Sequence, residues 1–151
     1  MNSNDAVDDE INKVNWSALR ESTGSADNIP MAIRELLSAC SPGESKKAYW
    51  KIENHVVVQG GLYSSAFYVI SVLMTALIDE KPPKYVRIVI IELLFQILNG
   101  YPHPEDKSEF NADIDVRCKD KAKENMWILE RELMNDKSSG AKEIIDLLKR
   151  G

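Results

Sequence analysis

Fifteen residues, Tyr85 to Asn99, read YVRIVIIELLFQILN, and wound as a helix they carry apolar side chains on nearly every side. A helix of that kind has to be covered on more than one face, so the rest of the chain must be arranged around it. Its polar positions are few: Arg87 near the start, then Glu92, Gln96 and Asn99, which at spacings of four and three share one narrow stripe. The β-branched residues alone would suit a buried strand. Fifteen residues without a turn signal are too many for one, and the segment is bounded by Pro82-Pro83 and Gly100.

A chain of 151 residues is expected to form one domain, 1–151, with enough buried surface for a real core. Seven Gly and six Pro are too few for a fold of many strands and tight turns. The opening MNSNDAVDDE has no apolar core of the signal-peptide kind and predicts a mobile acidic tail at about 1–10 and a cytoplasmic protein. The apolar run Leu62 to Ile78 is interrupted by Ser64, Ser65, Ser71 and Thr75 and is short of a membrane span. Cys40 and Cys118 are far apart, share no metal-ligand spacing, and read as free thiols.

Net charge is −5, and its placement is informative. Residues 1–27 and residues 103–115 each carry about −4, which leaves about +3 for the remainder. There is no basic stripe of the sort that phosphate backbones or anionic membranes require, so direct nucleic-acid and membrane binding are disfavoured. The second acidic block holds Glu105, Asp106, Glu109, Asp113 and Asp115 in a long Pro-containing loop and the helix cap after it, a surface suited to a basic protein.

Taken in order, the chain predicts helices and little else. A first helix spans about Ile11 to Glu21, with Trp16 off its apolar face, and a second follows Asp27 or Asn28 with Pro30 in its first turn. Ser41-Pro42-Gly43-Glu44 is a capping box that opens a third helix, which Gly60-Gly61 ends. A fourth runs from Leu62 to about Asp79. The short link Lys81 to Lys84 makes it antiparallel to the central helix. After the loop at 101–112, one helix from Asp113 or Asp115 to about Asn135, a turn at Lys137 to Gly140 and a last helix from Ala141 to Arg150 complete six or seven helices, an all-α fold of stacked antiparallel hairpins.

No arrangement of reactive residues suggests catalysis. Two histidines, His55 and His103, with no paired cysteines, are too few for most metal sites, and no cofactor is implied. His55 reads as a partly buried helix residue with a local partner, and His103 as a solvated loop residue. Gly60-Gly61 lacks the Lys and the preceding strand of a phosphate loop. Tyr49, Trp50, Tyr63, Phe67 and Tyr68 read as core, some of them able to line a groove. Glu92, an acid in the most apolar helix, predicts either an internal ion pair or a shared groove.

From about Ile29 to Asn99 the chain resembles small bacterial HEAT-like proteins. The resemblance rests on a helix with Trp50, the step Gln59-Gly60, Tyr63 with Ser65 and Ala66 opening the next helix, and Val86-Arg87 introducing the apolar one. It implies a HEAT-like right-handed superhelix. It also implies the role of an immunity protein that binds and neutralises a cognate toxin domain, a nuclease with a basic cleft, by covering its active site or substrate cleft. On that reading the carboxylates from Glu105 to Asp115 and Glu92 meet toxin Lys and Arg, with Tyr63, Tyr101 and Trp127 as anchors. The alternative is a non-enzymatic HEAT-like adaptor that holds a peptide or helix of another protein.

Overall fold

A computed structural model describes residues 5–79, 81–137 and 139–150. It is mostly helical. Among the described residues there are eight α-helices: α1 Asp5–Asn12, α2 Ile29–Leu37, α3 Pro42–Val56, α4 Ser65–Ile78, α5 Lys84–Leu98, α6 Ile114–Glu124, α7 Met126–Asn135 and α8 Ala141–Arg150. The predicted central helix is α5, which buries Val86, Val89, Ile90, Ile91, Leu93, Leu94, Ile97 and Leu98. It packs between α3 and α8, with α4 against it, and α4 in turn meets α1 and α6. The link between α4 and α5 is short, as expected for a helical hairpin.

The capping box at the head of α3 forms with one change. Ser41 Oγ accepts the Glu44 N–H at 3.1 Å, with Pro42 as the first helical residue. The Glu44 carboxylate accepts from the Cys40 N–H at 2.6 Å, one residue before the usual partner.

Five two-residue strands appear that the periodicity does not predict. Gly60-Gly61 is more than a helix stop: β3 Val57–Val58 and β4 Gly61–Leu62 are antiparallel partners joined by Gln59 and Gly60, both at positive φ (51° and 83°). A two-residue loop with both positions left-handed is the type I′ hairpin. The second strand, β4, also pairs in parallel with β5 Tyr101–Pro102, Gly61 opposite Tyr101 and Leu62 opposite Pro102. The connections that leave α3 and α5 therefore run side by side. They lie so close that a Cβ on Gly100 would meet Leu62 Cγ at 2.5 Å.

At the N-terminus the chain departs from expectation. Instead of a tail and a helix over Ile11 to Glu21, α1 begins at Asp5 and buries Val7 and Ile11 against α4; residues 1–4 of the expected tail lie outside the described residues. A 3-10 turn at Trp16–Ala18 and a hairpin of β1 Arg20–Glu21 and β2 Gly24–Ser25 follow. Trp16 is buried, its indole N–H donating to the Ile11 carbonyl at 3.0 Å. Two apolar residues four apart sufficed to dock a short acidic helix.

The predicted helix from Asp113 to Asn135 is two helices, broken at Asn125 (φ −121°, ψ 31°). The break lets the two pack in different places, α6 on α4 and α7 on α8. Of the turn predicted at Lys137 to Gly140, Ser138 lies outside the described residues.

One buried cluster ties three of these helices together. Arg87 of α5 pairs with Glu132 of α7, Nε to Oε2 at 3.1 Å and Nη2 to Oε1, and also donates to the carbonyls of Leu77 (2.8 Å) and Asp79 at the end of α4. Arg131 adds donations to the carbonyls of Leu77 (2.6 Å) and Ile78 (2.9 Å). Helix ends expose carbonyls with no partner in the helix, and here two arginines cap them.

Candidate functional site: a groove across the central helix

The acidic block at 103–115 is not a free carboxylate surface. Asp106 is 6 % exposed, and its carboxylate accepts from the Ser64 N–H (2.8 Å), the Ser108 hydroxyl (2.8 Å) and the Ser108 N–H (3.2 Å). Burial pushes its pKa up, but those hydrogen bonds outweigh burial and hold it below the ordinary carboxylate value. Its side chain is an internal brace for the loop. Tyr63, expected as an anchor, is buried too: its ring stacks on His103 with centroids 4.6 Å apart, and its hydroxyl donates to Glu105 at 3.0 Å. Burial of Tyr63 agrees with its reading as a core aromatic and not with the anchor role the resemblance implied, whereas Asp106 looks like surface in the sequence because nothing local reveals that β4 and β5 pair and pull residues 62–64 against 101–106.

His103 is likewise built in. Its Nδ1 accepts the Glu105 N–H at 3.1 Å, where the sequence suggested a solvated residue. Asp113 pairs with Arg117 at 2.7 Å, Asp115 is half-buried, and Glu105, Glu109 and Tyr101 are exposed. Trp127 is half-exposed on α7, with the Arg131 guanidinium 5.5 Å from its ring.

Glu92 lies elsewhere. It is exposed, and among the described residues no cation lies within ion-pair distance of it. Of the two alternatives read from the sequence, the groove is the one that holds. Ile88, Glu92 and Phe95 share one face of α5, at spacings of four and three. That face floors two adjoining depressions that both include Ile88 and Glu92. One, of about 350 Å³, is walled by Pro42, Lys46, Tyr49 and Trp50 of α3 with Tyr85 and Val89. The other, of about 290 Å³, runs past Ile91 and Phe95 to Ser139, Gly140 and Glu143 at the head of α8. Gly140 has φ +90°, and a Cβ there would press on Ile91 at 3.3 Å, so a glycine lets the chain enter α8 close over α5.

The groove is apolar with acid in it. Trp50 (48 % exposed), Ile88 (39 %) and Phe95 (37 %) are large apolar side chains left open to water along it. Burial, followed by the nearby Glu92 and Glu53 carboxylates, pushes the Tyr49 hydroxyl up to about 12. Sequence reasoning singled out Glu92 and counted Trp50 among the aromatics able to line a groove, but not Ile88, Phe95 or Glu143. The spacing of Ile88, Glu92 and Phe95 carried a usable signal, whereas the arrival of α8 beside them did not.

A second cluster resembles catalytic machinery without its geometry. His55 Nδ1 lies 2.5 Å from the buried Glu21 carboxylate and 3.4 Å from Ser22 Oγ. A relay needs the acid and the hydroxyl on opposite ring nitrogens, and here both approach the same one. The cluster fastens the β1–β2 hairpin to the end of α3, as does the Ser22 N–H donating to the His55 carbonyl at 2.8 Å. Among the described residues no group of three His, Cys, Asp or Glu side chains is placed to hold a metal ion, and no helix is long and apolar enough to cross a membrane.

No protein family, curated protein or solved structure matches the chain. The groove must therefore be read from its own chemistry.

Proposed function

We propose that this chain is an immunity protein, a non-catalytic helical scaffold that binds a cognate toxin domain in the cytoplasm and covers its active site or substrate cleft. The observation that carries the reading is the groove over α5. A protein seldom leaves a Trp, an Ile and a Phe open along one concavity, beside a carboxylate with no ion-pair partner among the described residues, unless another protein covers them. The net charge of −5 favours a basic partner such as a nuclease, whose encounter with an acidic inhibitor is accelerated by long-range attraction. The same acidic surface repels nucleic acid.

The reading carries with it a HEAT-like stack in which α2–α3 and α4–α5 are successive hairpins. The parallel pairing of β4 with β5, forty residues apart in register (Gly61 with Tyr101), supports that repetition. Inhibition is then steric and electrostatic. The product of the gene directly upstream is the partner to test: co-expression is expected to yield a stable complex and to restore growth to cells making that product. A folded chain that neither co-purifies with it nor protects would overturn the toxin reading. An adaptor that holds a helix of some other protein would use the same groove, and the absence of a toxin gene beside it would favour that reading.

A further inference from the structure

We propose that the groove over α5 seats a basic amphipathic helix of the partner, with an Arg of that helix against Glu92 and an apolar side chain on either side of it. The inference rests on the reading that the chain works by binding a protein, and it names what the partner presents.

The occupant is a helix because the groove offers it few backbone partners and no ladder of alternating donors and acceptors. Its floor is the middle of α5 and one wall is α3, whose N–H and C=O groups are largely spent within the helices, and the head of α8 adds first-turn N–H donors alone. An extended segment laid there would leave its own amides unpaired. A helix satisfies them internally and presents only side chains. Two apolar depressions with Glu92 common to both match a helix face that carries apolar, cationic and apolar residues in turn.

Charge fixes the central group. Glu92 and Glu143 line the groove, Glu53 stands near Tyr49, and Lys46 is the lining cation, at the α3 end. Arg fits better than Lys, because its planar guanidinium can pair with Glu92 while lying on the neighbouring Phe95 or Trp50 ring. A second copy of this chain is a poor occupant. A two-fold contact centred on the groove would set Glu92 against Glu92.

The test uses a synthetic, end-capped amphipathic helical peptide with one Arg flanked by Leu at the preceding and following turns, fluorescently labelled, and a twin with Glu in place of Arg. Binding to the full chain is read by anisotropy at low salt. The Arg peptide is expected to bind the native chain about tenfold or more tightly than it binds Glu92→Lys, and the Glu peptide to show the reverse order. Glu109→Lys, on the exposed loop, should leave both affinities unchanged. Equal affinity of the Arg peptide for native chain and Glu92→Lys, or no binding to the native chain, would overturn the assignment. Co-purification with the upstream product tests the toxin reading separately. A complex that forms while the peptide does not bind removes only the groove, and the converse removes only the toxin.

Discussion

Asp106 shows how far a single residue's role can lie from its apparent one. In sequence it is one acid among five; in the fold it holds the turn after β5 to the start of α4 through Ser64 and Ser108. Its folded pKa lies below the unfolded value, ordinarily about 3.9. The stability it contributes is therefore present above about pH 4 and is lost as pH falls through the folded pKa. Asp106→Asn is expected to lower stability near neutrality by about 1–3 kcal/mol, from the loss of charge-assisted hydrogen bonds, and to flatten the acid limb of the stability curve. Urea unfolding of both proteins between pH 2 and pH 7 measures this, and parallel curves would refute it. A charge reversal here would damage the fold before it said anything about a partner. Glu109, exposed on this loop, is the better acid to reverse, since Glu105 accepts the hydroxyl of the buried Tyr63.

Among the elements, α5 was legible because an all-round apolar helix admits few alternatives, and the capping box likewise announced α3. The short pieces were not. Val57 to Leu62 folds back as a hairpin because Gln59 and Gly60 accept left-handed backbone, a preference that a helical pattern running into two glycines conceals. The break at Asn125 followed from where α6 and α7 each found cover, which is tertiary information. Arg87 belongs to the same category: its position near the start of α5 was plain, its pairing with Glu132, 45 residues on, was not. Removing one partner of a buried ion pair leaves the other charge stranded. Arg87→Met and Glu132→Leu should each cost about 3–5 kcal/mol. The double substitution should cost less than the sum, though not nothing, since the carbonyls of Leu77 and Asp79 lose a donor as well. A double-mutant cycle by thermal or urea unfolding decides it, and strict additivity would mean that the pair is not coupled.

At the scale of the whole molecule, α4 and α5 form the buried centre, with Leu73, Leu77, Ile90, Leu93 and Leu94 fully enclosed, while α1 and α8 lie outside them. Hydrogen exchange should find the slowest amides in α4 and α5, opening only on global unfolding, and faster exchange in α1. Equal protection in α1 would show that the acidic N-terminal helix is part of the cooperative unit. The overall helical class was readable from period and length. The groove was readable only in part, since Ile88, Glu92 and Phe95 share a face in any helix while its walls depend on two other helices arriving.

The ladder at β5 has one more effect. Tyr101 and His103 turn their amides inward to Gly60 (2.8 Å) and Leu62 (3.0 Å), so the residue between them faces the opposite way, and that residue is Pro102, which has no amide hydrogen to give. The outer margin of the little sheet thus offers a neighbouring strand nothing to bond to at that position. A second chain adding a strand along that margin would meet a missing rung in the ladder, which is how an edge proline discourages self-association by strand addition.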